Sequence, residues 1–362
     1  MSAELKALQR SAGAVFVTFA GQELPARFTS LEREWAAVRQ RCGLLDARFR
    51  GLLRLSGTDR TTFVQGMVTN DVAGLKNGEG TYAALLTIQG RLASDMRVYT
   101  LAEEIWMDVP AQRLAAVREK LEHHIVADDV EFITDTDLWA PLVALEGPEA
   151  FGILATVVGA GMQSLRPFAH HECSFDGSSL RIAAVSHAGE VGYLLFGPPA
   201  SARRLWQACR DAGAEPVGME ALDLLRLEAG IPWYDRDMDE STLISEIGLE
   251  TAISFRKGCY LGQEVVERVA ARGQVQRKLV GLACDSPLPP PADSPLSHDG
   301  KEAGFVTSAL WSPARQTVIA LGYVRQEYWD PGCELRVAVP SGTATARVVE
   351  LPFYKGTACP TV

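Results

Sequence analysis

The chain has 362 residues, of which 47% are hydrophobic and 22% are charged, as in a soluble globular protein of two to three domains. Its 35 basic and 45 acidic residues give a net charge of −10, which argues against direct nucleic-acid binding because that needs a basic surface. No stretch approaches the roughly 20 apolar residues that span a bilayer, and the N-terminus lacks the apolar run of a secretory signal. The seven cysteines are scattered, odd in number and form no C-x-x-C pair. The sequence therefore predicts a cytoplasmic protein, off the membrane, with free thiols and no zinc site.

The first part of the chain alternates helix-like and strand-like segments. Thr58 or Asp59 can cap a helix by accepting hydrogen bonds from free backbone N–H groups, and Gln89 with Gly90 predicts a hairpin turn. Pro110 suits the first turn of a helix. The predicted segments are helix 31–42, strand 51–57, helix 58–67, strands 82–88, 92–100 and 105–109, and helix 110–124.

Two pairs of adjacent histidines raise the question of a metal site. His123 and His124 fall at the end of a predicted helix, where a cation suits the helix dipole. His170 and His171 have no partner at ligand spacing. We therefore predict no metal ligands in either pair.

The rest of the chain repeats the mixed pattern and then becomes purely strand-like. It shows neither a regular βαβ rhythm nor phosphate-binding glycines, which favours antiparallel α+β units over a doubly wound sheet. The final short β runs indicate a small barrel, with a domain start near Val275, and the proline-rich stretch 286–295 is either a linker or a loop within that domain. The predicted segments are strand 142–146, a short helix from 148, strands 180–186 and 193–196, helices 200–212 and 219–229, and strands 279–284, 304–310, 318–324, 334–339 and 344–351.

A cysteine-centred motif, FRKGCYLGQEVVER at residues 255–268, is the most distinctive segment. Gly258 predicts a sharp turn at positive φ, and a short helix follows from Gly262. Cys259 would then lie just before a helix N-terminus and beside the cation of Lys257, and both features favour the thiolate over the thiol. The alternative is a small buried structural cysteine.

The octapeptide KGCYLGQE within this motif closely resembles the signature of the YgfZ-type folate-binding proteins. These are bacterial relatives of a mitochondrial iron–sulfur assembly factor and belong to the wider glycine-cleavage T-protein, or aminomethyltransferase, superfamily. The resemblance implies a GcvT-like α+β fold, with two antiparallel α+β subdomains around a central cavity in residues 1–274 and a C-terminal β-barrel domain in residues 275–362.

Residues 43–99 resemble the same superfamily and carry three candidate residues. Asp95 matches the aspartate that activates the N5/N10 region of the folate in that family. Tyr99 and Tyr82 match tyrosines that line the same cavity. T-proteins carry a paired Asp-Asp, whereas this chain has Ser94 before Asp95, which argues against aminomethyl transfer.

Two further segments complete the resemblance. SHAGEVGYLLFGP, residues 186–198, is similar to the family's G-x-x-G-E-x-G-(Y/F/W)-E segment. Glu190 matches a glutamate that binds the pterin, and a carboxylate can accept from a ring N–H and an exocyclic amine together. In residues 219–240, Tyr234 matches a cavity aromatic, and Arg226 either meets the glutamate tail of the folate or pairs with Glu228.

Three functions follow from the resemblance, and the first is preferred. It is a monomeric, tetrahydrofolate-binding protein that supports assembly or repair of iron–sulfur clusters, acting with iron–sulfur assembly proteins or client [4Fe–4S] enzymes, including tRNA-modifying ones, and holding a cluster at most transiently. Cys259 would be its functional thiol, supported by Lys257, with Gln263 and Glu264 ordering the turn. The alternative is a tetrahydrofolate-dependent aminomethyltransferase or demethylase that uses Asp95. The third is a folate sensor or scaffold without chemistry.

Overall fold

The computed structural model describes residues 3–135, 137–159, 161–273 and 275–356, so Cys359 lies outside the described residues. Two sheets, a hairpin and a barrel make up its strands. The elements as far as residue 135 are α1 (Ala3–Ser11), β1 (Val15–Phe19), β2 (Gln22–Arg27), α2 (Leu31–Gln40), β3 (Gly43–Asp46), β4 (Arg50–Ser56), α3 (Arg60–Met67), β5 (Glu79–Leu86), β6 (Leu92–Thr100), β7 (Ile105–Pro110), α4 (Leu114–His124) and β8 (Glu131–Phe132).

The first sheet is five-stranded and antiparallel, in the order β5-β6-β7-β4-β8. Successive side chains of a strand point to opposite faces. On β6, Met96 and Val98 therefore pack with α3 and α4 in a hydrophobic core. Asp95 and Arg97 take the opposite face of the same strand. This alternation places Asp95 and Arg97 away from that core and towards the second half of the molecule.

The second sheet has six strands, in the order β10-β11-β12-β9-β3-β13. Its strand β3 comes from the first part of the chain, and the short β13 pairs with β3 in parallel while the other pairs are antiparallel. The first part of the chain thus contributes one strand, β3, to the second sheet. The elements of this half are β9 (Ala140–Glu146), α5 (Ala150–Val158), β10 (His170–Phe175), β11 (Ser178–Ala184), β12 (Gly192–Gly197), α6 (Ala202–Asp211), β13 (Glu215–Pro216) and α7 (Met219–Glu228).

A closed six-stranded barrel follows, in the order β14-β17-β16-β15-β18-β19. The fold is therefore the predicted α+β, GcvT-like arrangement with a C-terminal barrel. The proline-rich stretch connects β14 to β15, so it is a loop within the barrel. The remaining elements are α8 (Ile244–Ile247), α9 (Gln263–Arg272), β14 (Arg277–Cys284), β15 (Pro295–His298), β16 (Lys301–Ser312), β17 (Thr317–Arg325), β18 (Glu334–Val339) and β19 (Gly342–Val349).

Several local predictions are corrected by the structure. Asp59 stands at the N-cap of α3, but its side chain makes no capping bond and accepts from the Asp129 N–H instead. Gly262, not Gly258, takes the positive φ, at 82°, and a Cβ at Gly262 would lie 2.5 Å from the Thr87 carbonyl oxygen. Elements α1, β1, β2, β3, β8, β10, β13, α8 and β15 were not predicted. None of the described helices is long and apolar enough to cross a membrane.

Candidate active site

A narrow cleft with an internal volume of about 40 Å³, continued by a part that is open to solvent, lies between the first sheet, the β11–β12 connection and the chain after α7. Aromatic side chains form much of its wall, and several buried charged side chains face it. The lining residues used below are Phe49, Arg50, Tyr82, Asp95, Arg97, His187, Trp233 and Tyr234.

Asp95 is the carboxylate at the centre of this cleft. It lies on β6, is 7% exposed, and accepts a hydrogen bond at Oδ2 from the Tyr82 hydroxyl at 3.2 Å. Its other oxygen, Oδ1, is buried and has no hydrogen-bond donor among the described residues. A buried acceptor without a donor is costly. This unpaired oxygen in the cleft wall is therefore available to accept a hydrogen bond from a ligand.

Tyr82 is held as a donor by its surroundings. Burial, with the Asp95 charge adding to it, raises the pKa of the Tyr82 phenol well above its ordinary value. The phenol therefore keeps its proton and fixes the orientation of Asp95.

Ser94 does not bear on this cleft. Adjacent residues of a strand face opposite sides of the sheet. The Ser94 hydroxyl is fully buried and donates to the Asp95 carbonyl oxygen at 2.8 Å. Its replacement of a family aspartate therefore leaves the cleft wall unchanged, and the argument it supplied against aminomethyl transfer does not hold.

A group of buried charges continues the same wall. Arg50 donates from Nε to Asp108 Oδ1 at 2.6 Å, and Arg97 donates from Nη1 to Asp108 Oδ2 at 3.1 Å. One carboxylate thus bridges two guanidinium groups. These residues were not predicted from the sequence. The signal for Arg97 was its position two residues after Asp95, which places both on one face of β6.

His187 was also missed, although it stands inside a segment that resembled the superfamily. Its Nε2 lies 3.1 Å from Arg97 Nη1 and its Nδ1 lies 3.0 Å from Glu146 Oε1. Because arginine only donates, Nε2 accepts and Nδ1 carries the proton. Burial lowers the pKa of His187 well below its ordinary value and raises that of Glu146 to about 8. The ring is therefore a neutral spacer between Arg97 and Glu146.

The two other predicted tyrosines have different places. Tyr234 lines the cleft, donates to the Leu92 carbonyl at 3.1 Å and lies under the Arg113 guanidinium at 4.6 Å. Tyr99 does not line the cleft. It packs between the two sheets, edge-on to Phe196 at 6.1 Å. Tyr99 lies on the same face of β6 as Asp95. It is four residues farther along the strand, however, and therefore lies beyond the cleft, within the core.

Glu190 lies outside the cleft in a buried ion pair. Its Oε1 accepts from Arg39 Nη1 at 2.9 Å, and the Arg39 guanidinium is covered by the Tyr354 ring at 4.1 Å. Arg39 also pairs with Glu228 at 2.7 Å, so the proposed Arg226–Glu228 pair is wrong. Glu190 is thus placed at the joint between α2, the β11–β12 connection and the chain after the barrel.

Arg226 is fully buried and joins α7 to the barrel. It pairs with Asp223 and Asp237, and its Nη2 donates to the Ser308 hydroxyl at 2.8 Å. Ser308 in turn donates to Asp237 at 2.7 Å. Every guanidinium nitrogen of Arg226 has a partner, so its contacts are those of an internal joint rather than of the cleft.

The cysteine motif forms a surface segment. Cys259 is exposed and is not among the described residues that line the cleft. The Lys257 ammonium donates to the carbonyls of Gln65, Val68 and Asn70 at the end of α3, and burial lowers its pKa to about 8. Lys257 therefore anchors the motif to α3 rather than serving the thiol.

Of the two residues predicted to order the turn after Cys259, Gln263 makes a side-chain contact within it. The Tyr260 N–H donates to Gln263 Oε1 at 3.3 Å, and Gln263 then bonds to Glu267 along α9. Glu264 lies exposed in the first turn of that helix, where a negative charge suits the dipole.

Family models match both parts of the chain. The GCVT N-terminal domain matches residues 5–257, and the glycine cleavage T-protein C-terminal barrel domain matches residues 277–355. The chain is 34% identical over 347 residues to an aminomethyltransferase of Rubrobacter xylanophilus, covering 96% of this chain and 92% of that protein. It is 34% identical over 354 residues to an aminomethyltransferase of Synechococcus sp. strain RCC307, covering 96% and 97%. The crystal structure of glycine cleavage system aminomethyltransferase T from Bartonella henselae matches with a TM-score of 0.89 at 26% identity, covering 97% of each chain.

These relatives overturn the preferred function drawn from the octapeptide. They are named aminomethyltransferase, and the similarity extends over nearly the whole chain, whereas KGCYLGQE covers one surface turn. The prediction of an iron–sulfur assembly factor, with its transient cluster, its assembly partners and its tRNA-modifying clients, is therefore wrong.

Proposed function

The chain belongs to the glycine cleavage T-protein family, and from that premise we propose that it is a tetrahydrofolate-dependent aminomethyltransferase with Asp95 as its catalytic carboxylate. The observation that carries the proposal is the free Asp95 Oδ1 in the cleft wall. The names of the relatives support the reaction class, and the environment of Asp95 supports the residue.

The cleft fits a reduced folate in its chemistry. Tyr82, Trp233 and Tyr234 offer flat apolar surfaces, which suit a fused heterocycle and an aminobenzoyl ring. The free oxygen of Asp95 supplies an acceptor for a nitrogen-bound proton. When bound, tetrahydrofolate would supply the nitrogen that receives the transferred carbon.

Asp95 would accept at Oδ1 the proton that this nitrogen loses as its lone pair bonds to the carbon, while the bond from that carbon to its leaving group on the donor breaks and the leaving group departs with a proton. Tyr82 would keep the carboxylate turned towards the cleft through its bond to Oδ2. General-base help of this kind contributes about 10²- to 10⁴-fold to a rate. The aromatic walls would exclude water from the reacting groups.

The test is a transfer assay with the full chain. The purified protein is incubated with tetrahydrofolate and a panel of aminomethyl donors, and folate carrying one additional carbon is measured by mass spectrometry. We expect product only when protein, folate and a donor are all present. Calorimetry that detects no tetrahydrofolate binding to the folded protein would contradict the proposal at its first step.

Three further proposals concern the domain boundary, the cellular location and the oligomeric state. We propose that the barrel domain begins at residue 275, just before β14 opens at Arg277. The six described cysteines are free thiols, which supports a reducing, cytoplasmic location. We further propose that the protein acts as a monomer.

A further inference from the structure

Three contacts fix Tyr234 in the cleft wall. Its hydroxyl donates to the Leu92 carbonyl at 3.1 Å, and its own carbonyl accepts from Gln112 Nε2 at 3.3 Å. The Arg113 guanidinium lies 4.6 Å from the centre of its ring. Arg113 is not among the described residues that line the cleft and instead lines a separate groove on the outer surface. The guanidinium therefore covers the side of Tyr234 that faces away from the cleft.

Arg113 occupies a position that its own helix does not favour. It is the N-cap residue of α4, and its side chain makes no capping bond. A positive charge at a helix N-terminus opposes the helix dipole, which prefers anions there. The ion pair with Glu240 offsets little of this, because the Glu240 side chain is 63% exposed and exposed ion pairs contribute little. The helix thus gives no reason for an arginine here, whereas the contact with Tyr234 does.

Arg113 also links the Tyr234 ring to the strand that carries Asp95. Its Nε donates to the Ala93 carbonyl at 3.0 Å. Ala93 precedes Asp95 by two residues on β6, which corresponds to about 7 Å along a strand. Leu92, which accepts from the Tyr234 hydroxyl, is the neighbouring residue of the same strand. The aromatic ring and the carboxylate are therefore held at a fixed spacing.

The guanidinium also changes the electrostatics of the ring. A cation is attracted to the negative face of an aromatic ring. It draws π-electron density towards its own side, so the face that the cleft uses becomes less negative. A reduced pterin and an aminobenzoyl group are both rich in π electrons, and two such faces repel each other less when one of them is depleted. A cation behind Tyr234 therefore strengthens stacking in front of it.

We propose that Arg113 is a positioning residue, which acts through Tyr234 to hold the ring system of the folate in place beside Asp95. The inference rests on the proposed function and deepens it, because it assigns a role to a residue behind the cleft wall. The effect depends on the positive charge behind the ring rather than on the bulk of the side chain.

The experiment compares Arg113→Lys, which keeps the charge, with Arg113→Met, which keeps the stem without the charge. Arg118→Met is the matched control, because Arg118 lies on the same helix, 5.5 Å from the centre of the Phe132 ring, and neither residue is among those described in the cleft wall. Arg113→Met is also made in a Tyr234→Leu background. Thermal unfolding of every variant comes first, followed by calorimetry with tetrahydrofolate and steady-state transfer rates.

We expect Arg113→Met to weaken tetrahydrofolate binding by about two- to five-fold, the size of one cation–π contact, and to lower kcat as well. Arg113→Lys should recover part of the binding. Arg118→Met should bind the folate as the wild type does. In the Tyr234→Leu background, Arg113→Met should have no further effect on binding, because a residue that acts through the ring needs the ring.

Unchanged folate binding by Arg113→Met would overturn the inference. Equal losses in Arg113→Lys and Arg113→Met, or equal losses with and without the Tyr234 ring, would also overturn it and make Arg113 a structural residue. If Arg113→Met does not fold, Arg113→Gln takes its place and the same outcomes apply. A wild type that binds tetrahydrofolate but transfers no carbon would contradict the proposed function alone, whereas one that binds no tetrahydrofolate would contradict both.

Discussion

The Asp95 cleft and the Arg226 cluster are both built from buried arginine and aspartate, yet they differ in whether every polar atom has a hydrogen-bond partner. Around Arg226, the carboxylates of Asp223 and Asp237 and the hydroxyls of Thr307 and Ser308 use up the polar atoms. In the cleft, Asp95 Oδ1 and one arm of Arg50 stay without a partner among the described residues. A buried network whose polar atoms are all paired, called closed below, joins two parts of a fold. A network with unpaired atoms, called open below, can bind a ligand.

The comparison predicts its largest effect at Asp95. Asp95→Asn keeps the shape of the side chain and the acceptor for Tyr82 but removes the base, so kcat should fall by about 10²- to 10⁴-fold. Ser94→Ala is the matched control, since Ser94 faces away from the cleft, and its kcat should stay within about three-fold. Steady-state transfer rates at saturating folate check both. Equal losses in the two variants would show that the strand, not the carboxylate, was damaged.

The next effect is on stability at the closed network. Arg226→Met leaves Asp237 buried without its cation, so the free energy of unfolding should fall by about 3–5 kcal/mol. Urea denaturation measures the change. Arg236→Met removes a half-exposed partner of Asp223 and should cost at most about 1 kcal/mol. An Arg226→Met protein of normal stability that no longer binds folate would place Arg226 in the binding site after all.

A smaller effect concerns pH and the support of the open network. Burial raises the pKa of Glu146 from 4.5 to about 8 in the folded protein, so the folded state holds a proton that the unfolded state has lost. Stability should therefore fall as pH rises through this window, by up to about 1.4 kcal/mol per pH unit. His187, whose folded pKa is depressed below 6.5, gives the opposite slope below that value, and Lys257, whose folded pKa is about 8, gives the opposite slope at the upper end of the window, so Glu146 dominates between about pH 6.5 and 7.5.

Glu146→Gln should flatten the slope between about pH 6.5 and 7.5, as measured by urea denaturation at each pH. Glu119→Gln, on the exposed side of α4, is the control and should keep it. A Glu146→Gln protein with the slope of wild type would mean that another group titrates in this window.

The smallest effect is expected at Cys259. This thiol is exposed and lies outside the cleft wall. Cys259→Ala should therefore leave the rate of transfer at the wild-type value and the free energy of unfolding within about 0.5 kcal/mol of wild type. Transfer assays and urea denaturation check this. A large loss of transfer would bring the cysteine motif into the reaction and break the division between the cleft and the rest of the molecule.

The sequence allowed most elements and the class of fold to be predicted, because strand alternation and helix periodicity are local. It also singled out Asp95, Tyr82 and Tyr234, which the structure brings to one cleft. It could not tell that Tyr99 continues past the cleft into the core, since position along a strand matters as well as face.

Two other limits concern partners rather than positions. Glu190 and Arg226 were chosen as charged residues in family-like segments, but only the fold shows that Arg39 and Asp237 pair with them. The octapeptide around Cys259 was distinctive in sequence, yet its Lys257 ammonium donates to backbone carbonyls at the end of α3 rather than contacting the thiol. Sequence therefore identifies charged residues well and their pairing poorly, and pairing separates a joint from a site.

The most direct test of the central claim is a crystal structure of the protein with a stable reduced folate such as 5-formyltetrahydrofolate. The claim predicts that a nitrogen of the ligand lies 2.7–3.2 Å from Asp95 Oδ1, the distance of an ordinary N–H···O hydrogen bond. The ring system should lie among Tyr82, Trp233 and Tyr234. A folate bound elsewhere, with Asp95 Oδ1 still unpaired, would contradict it.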